Sequence, residues 1–181
     1  MSELTLVGLC GALRAASTNR LLMHEAVRRF GPADFVDGDL DLPLYNGDVE
    51  AEGIPEKVQL LADQIAGADA VLVVTPEYNK GISGVMKNAL DWISRTEGNP
   101  WRDKPVALMS SAAGIAGGQR AQNMARLCLN PFRAHVLPGP EVFIGATSKK
   151  WAEDGTLADE GAGRLIDELT GLLRKAALAR R

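Results

Sequence analysis

Short, densely apolar runs alternate along this chain with longer stretches in which apolar residues return every three or four positions. Residues 4–10 (LTLVGLC) form the first run. It has no polar alternation, which predicts a strand buried on both faces. Residues 70–75 (AVLVVT) and 105–110 (PVALMS) repeat the pattern, and 35–36 and 142–144 are shorter versions. After the first strand, Leu21, Leu22, Ala26, Val27 and Phe30 fall on one side of a helix. Thr18 or Ser17 can cap that helix and Gly31-Pro32 ends it. Residues 41–46 predict a loop, and Pro55 fits the first turn of a second helix reaching about Gly67. Val85, Met86, Ala89, Leu90 and Ile93 predict a third helix. Ala121, Met124, Ala125, Cys128 and Leu129 predict a fourth, and residues 157–179 contain a long fifth.

Five strands alternating with five helices require parallel strands joined by right-handed crossovers. The predicted fold is therefore α/β: a three-layer sandwich around a five-stranded parallel sheet. The expected strand order is 2-1-3-4-5, the flavodoxin-like arrangement, with a ligand crevice where the order reverses between strands 1 and 3. A length of 181 residues suits one domain, 1–181, and is short for two.

The charge pattern removes several classes of partner. The net charge is −3 and no run of Lys and Arg interrupts it, so nucleic acid is not an expected partner. The apolar runs are strand-sized, and no basic segment with an apolar core opens the chain, so neither a membrane span nor a signal peptide is expected. Cys10 and Cys128 allow one bridge at most, and both lie in apolar stretches where free thiols are common. These features predict a cytoplasmic protein without a disulfide. His24 and His135 have no metal-ligand spacing to any other candidate.

Two blocks carry the candidate chemistry. The first is Gly11-Ala12-Leu13-Arg14-Ala15-Ala16-Ser17-Thr18-Asn19, between strand 1 and its helix. A helix N-terminus offers free N–H groups and the positive end of a dipole. Ser17, Thr18 and Asn19 can add donors, and Arg14 a bidentate charged contact. Neither a P-loop nor a Gly-x-Gly-x-x-Gly pattern is present, so one terminal phosphate fits better than a nucleotide di- or triphosphate. The second block, Pro76-Glu77-Tyr78-Asn79 after strand 3, sets a proline turn and its following amides beside an aromatic ring. Together the blocks predict a phosphorylated, flat, heteroaromatic cofactor.

The stretch from Thr75 through Trp92, with Pro76-Glu77-Tyr78-Asn79 and Met86-Lys87-Asn88-Ala89-Leu90-Asp91-Trp92, resembles the signature of the NAD(P)H-dependent FMN reductase family. The first block is similar to that family's phosphate loop. Ser111-Ala112-Ala113-Gly114 with Gly117-Gly118-Gln119-Arg120 is similar to its loop after strand 4. The resemblance implies bound FMN, with NADPH or NADH as reductant. Arg14, Ser17, Thr18 and Asn19 would hold the phosphate. Pro76, Glu77, Tyr78 and Asn79 would line the ribityl chain and ring edge, and Ser111 and Gly114 would close the other side. No catalytic acid or base is implied, because the cofactor carries the chemistry. The implied reaction is ping-pong hydride transfer through the flavin N5 to a small-molecule electron acceptor: a quinone, chromate, an azo or nitro compound, or free flavin. The resemblance also implies a homodimer or homotetramer, with residues 83–96 and 117–129 as the expected contact. An electron carrier of flavodoxin type and an FMN-binding regulatory module are the alternatives the fold allows. Two departures stand out: Ala12 replaces a serine, and Lys80 introduces a cation after the second block.

Overall fold

The computed structural model describes residues 3–181. Its sheet contains β1 (Thr5–Cys10), β2 (Asp34–Gly38), β3 (Ala70–Val74), β4 (Pro105–Ser111), β5 (His135–Val136) and β6 (Val142–Ile144). The order is β2-β1-β3-β4-β5, with β6 also on β4, and every pairing is parallel. The helices are α1 (Thr18–Phe30), α2 (Gly47–Glu52), α3 (Glu56–Gly67), α4 (Gly84–Ile93), α5 (Gln119–Leu129) and α6 (Glu160–Arg180).

Alternation along each central strand divides the core in two. Leu6 and Cys10 of β1, with Leu72, Val74, Ala107 and Met109, pack under α1 and α6. Val7 and Leu9, with Val71, Val73, Val106 and Leu108, pack under α3, α4 and α5. Strands sandwiched this way must be apolar on both faces, which is why the runs carry no polar alternation.

Two features differ from the sequence expectation. The fifth sheet position is shared by two short strands. β5 pairs with Pro105–Val106 and β6 with Met109–Ser111, so together they flank one long strand, β4. Pro138 and Pro140 lie between them without an N–H to continue the ladder. The second difference is α2, a sixth helix that buries none of its residues. Asn46 caps it, accepting from the Asp48 N–H at 3.0 Å. No helix among the described residues is long and apolar enough to cross a membrane.

Candidate cofactor cleft

Three loops leave the carboxyl ends of β1, β3 and β4 at one edge of the sheet, where the strand order reverses. The first two touch through Gly11. Its N–H donates to the Val74 carbonyl at 2.8 Å. A Cβ there would lie 2.8 Å from the Ser83 hydroxyl oxygen and 3.0 Å from that of Thr75, so any larger residue would force these loops apart.

The loop after β1 ends in a cap. Ser17 Oγ accepts from the Asn19 N–H at 3.2 Å, and the Ser17 N–H closes a turn on the Arg14 carbonyl at 3.0 Å. Among the described residues, the amides of Arg14, Ala15, Ala16 and Thr18 have no hydrogen-bond partner, and the exposed Arg14 guanidinium has no ion pair. Unpaired donors thus converge on the positive end of α1. Cys10 lies beneath this loop, its thiol donating to the Ala12 carbonyl at 3.6 Å. Burial pushes the thiol's pKa up, so it stays protonated and is no nucleophile.

The loop after β3 is held from both sides. Pro76 is buried, and its carbonyl accepts from the Thr75 hydroxyl at 3.1 Å. Glu77 caps a different element: its carboxylate accepts from the Arg120 N–H at 3.0 Å in the first turn of α5. That helix has Gly118 at its N-cap and no side-chain cap of its own, so Glu77 supplies the missing acceptor across the loops. Tyr78 and Gly81 then exchange both backbone hydrogen bonds, at 3.0 and 3.1 Å. Asn79 and Lys80 between them have φ of 49° and 67°, the signature of a two-residue type I′ hairpin turn. The amides of Glu77, Asn79 and Lys80 have no partner among the described residues.

The loop after β4 turns back tightly. Ser110 Oγ donates to the Gly117 carbonyl at 2.6 Å. Gly118, at φ 94°, sits where a Cβ would lie 2.7 Å from that of Ser110, so only glycine fits. The Gly114 carbonyl accepts from Gly117 and Ala146, both at 3.2 Å. Amides 113–116 have no partner among the described residues, and Ile115 at the tip is 94% exposed.

The first and third loops are tied by Asn19. Its side chain donates to the Ser111 carbonyl and accepts from the Ser111 N–H, each at 2.9 Å. A row of hydroxyls runs alongside. Ser111 Oγ donates to Thr18 Oγ1 at 3.1 Å and lies 2.7 Å from Thr147 Oγ1, which accepts from the Trp151 indole N–H at 3.0 Å.

The expected site residues therefore share one edge but differ in what they have left to offer. Arg14, Ser17, Thr18 and Ser111 lie at the α1 end. The Asn19 side chain is largely occupied by Ser111, and that of Glu77 by α5. Tyr78, 55% exposed, and Asn79 stand on the hairpin, and Gly114 on the third turn. Asn88 and Trp92, from the matched segment, lie off this edge: both donate to the Pro43 carbonyl, at 2.9 and 2.8 Å, and so anchor the loop before α2. Thr147 was not anticipated, because no motif marks it. Among the described residues, no group of His, Cys, Asp and Glu could hold a metal ion.

This donor set suits a phosphate monoester beside a flat polar ring. One end has a guanidinium, hydroxyls and helix amides, and the other has rows of unpaired amides with exposed apolar side chains.

Residues 4–149 match the family described as NADPH-dependent FMN reductase. An NAD(P)H-dependent FMN reductase of Pseudomonas aeruginosa is 38% identical over 168 residues, covering 92% of this chain and 91% of that one. A quinone reductase of Escherichia coli strain K12 is 39% identical over 180 residues, covering 96% and 94%. Among solved structures, a flavoenzyme NAD(P)H:(acceptor) oxidoreductase from Paracoccus denitrificans superposes with a TM-score of 0.87, at 31% identity, covering 98% of each chain.

Proposed function

This chain belongs to the NADPH-dependent FMN reductase family, and from that premise we propose that its cleft binds FMN and carries reducing equivalents from NADPH or NADH to a quinone or related small-molecule acceptor. The observation that carries this reading is the set of unpaired donors around the α1 N-terminus, continuous with the free amides after β3 and β4. Arg14, Ser17 and Thr18 hold the phosphate, with Asn19 fixing the loop from behind. Amides 77, 79 and 80 on one side, and 113–116 on the other, hydrogen-bond the polar edge of the ring. Tyr78 and Ile115 give the cleft an apolar rim where a flat acceptor can rest. The bound flavin supplies the hydride chemistry. The protein orients it, and its fixed N–H dipoles favour negative charge on the reduced ring. Reductant and acceptor occupy the one cleft in turn, which makes the kinetics ping-pong.

The whole chain, 1–181, acts as one cytoplasmic domain that associates as a homodimer or homotetramer. The α4–α5 face supports this assembly. It carries exposed Met124 and Leu127, and a groove of about 440 Å³ lined by Leu90, Ile93, Trp101 and Phe132.

The test is direct. The purified protein should be yellow, bleach when mixed anaerobically with NADPH, and regain its colour on adding a quinone. Bound flavin that NADPH leaves oxidised would mark an electron carrier instead. Initial rates at several fixed quinone concentrations should give parallel double-reciprocal lines, and sedimentation should show no monomer.

A further inference from the structure

We propose that Thr147 and Trp151 are positioning residues for the phosphate cradle. They act through a one-way relay of hydroxyl hydrogen bonds that leaves the Thr18 O–H free to donate to a ligand oxygen. This inference rests on the FMN reading of the cleft.

The direction of the relay follows from counting hydrogens. An indole nitrogen can only donate, so the 3.0 Å contact is Trp151 N–H to Thr147 Oγ1. The single hydroxyl hydrogen of Ser111 goes to Thr18 Oγ1 at 3.1 Å. The 2.7 Å contact between Ser111 and Thr147 must then be a donation from Thr147. Every hydrogen in the row is used except the last. Thr18 accepts from Ser111, and among the described residues nothing accepts from Thr18. Thr18 is the first residue of α1, beside the unpaired amides of the cradle.

The geometry around the row is rigid. Ser111 is 1% exposed, and its backbone is fixed on both sides by Asn19. Thr147 is 7% exposed, and its N–H donates to the Ala112 carbonyl at 3.3 Å. Residues 150–158, which carry Trp151, fold back on themselves through the Ala158 N–H to the Lys150 carbonyl at 2.8 Å. Hydrogen bonds in sequence polarise one another in a low-dielectric setting, so a donor at the far end strengthens the last O–H.

Riboflavin lacks the phosphate and is otherwise FMN, so the ratio of the two affinities isolates the cradle. Calorimetric titration of the flavin-stripped full chain with each flavin gives that ratio. The wild type should prefer FMN strongly. Thr147→Val should weaken FMN binding about 5-fold and leave riboflavin binding within 2-fold, whereas Thr147→Ser should restore the wild-type ratio. Trp151→Phe keeps the ring and removes the first donor, so it should weaken FMN alone by about 2-fold to 3-fold. In a Thr18→Val background, Thr147→Val should have no further effect on the ratio. Should Thr147→Val fail to fold, the Trp151→Phe ratio and the Thr18→Val background decide the matter. Equal weakening of FMN and riboflavin, or an unchanged ratio in a wild type that does prefer FMN, overturns the relay alone. A wild type that binds both flavins equally overturns the cradle assignment and the relay with it.

Discussion

The two edges of this sheet are built from similar residues and use them in opposite ways. At the amino edge, the charged groups of Lys104 and Asp69 are matched, although the buried Trp101 indole N–H has no partner among the described residues. Lys104, 2% exposed, donates to the carbonyls of Ala66 and Ala68 at the end of α3. Asp69 accepts from the Thr5 N–H at 2.8 Å and pairs with Arg181 at 2.6 Å, which lowers its carboxyl pKa through the guanidinium contact. At the carboxyl edge, Arg14, Lys80 and a dozen or so loop amides have no partner among the described residues. Matched groups stabilise the fold, and unmatched donors gathered in one cleft are available to a ligand. Removing a matched group at the amino edge should therefore move stability and spare flavin binding, and removing the unpaired Arg14 guanidinium at the carboxyl edge should do the reverse.

The largest effect is expected at Lys104. Burial away from water lowers its pKa from the ordinary 10.5 to about 8. Between those values the unfolded chain binds more protons than the folded one, so this group's contribution to stability rises with pH across that window and is lost as pH falls through about 8. Its ceiling is about 3 kcal/mol, at about 1.4 kcal/mol per tenfold change in proton affinity. Burial raises the pKa values of Cys10 and Cys128, which pushes stability the other way above pH 9. The measurement is therefore the difference between wild type and Lys104→Met in urea unfolding at pH 7.5 and pH 10. The wild type should gain on the variant as pH rises, because methionine does not titrate; how well the neutral amine caps α3 relative to a thioether sets only a pH-independent offset. A difference independent of pH would mean that Lys104 does not titrate in this window. FMN affinity should be the same in both proteins.

Arg14→Ala should mirror that result. A charged, bidentate contact to phosphate contributes roughly 1.5–3 kcal/mol, so FMN affinity should fall about 10-fold to 100-fold with riboflavin affinity unchanged. The unfolding midpoint of the flavin-free protein should not move, because the side chain makes no contact that folding creates. A loss of stability equal to the loss of affinity would erase the contrast between the two edges.

The sequence made the first of these edges hard to see and the second easier. Arg14, Ser17 and Thr18 are neighbours in the chain, and a cap at Ser17 or Thr18 was legible because capping is decided within four residues; the structure puts it at Ser17. The strands followed from short apolar runs such as 70–74, and their order from the alternation of those runs with helices. What escaped detection is non-local or weakly apolar. Lys104 reads as an ordinary surface lysine until α3 ends over it. Thr147 meets Ser111 across 36 residues. His135–Val136 becomes a strand only because β4 is long enough to hold two short partners. The helix α2 has no apolar face, so periodicity could not reveal it; Asn46 followed by Asp48 and Glu50 was its one signal.

The smallest expected effect lies at the hairpin tip and tests whether the carboxyl edge tolerates strain in order to keep a side chain. Lys80 sits at φ 67°, where a side chain costs about 1–2 kcal/mol and glycine costs nothing. Glycine also makes the unfolded chain more flexible, which returns roughly 0.4–1 kcal/mol of that gain. Lys80→Gly should therefore stabilise the protein by about 0.5–1 kcal/mol, read as a higher urea midpoint at unchanged slope. Asn79→Ala, at φ 49°, should move the midpoint the other way, because asparagine tolerates this region and alanine does not. FMN affinity should change little in Lys80→Gly, since the amides that face the cleft belong to the backbone. If the variant is instead less stable, the Lys80 side chain makes a compensating contact, and the hairpin is held by its charge as well as by the paired backbones of Tyr78 and Gly81.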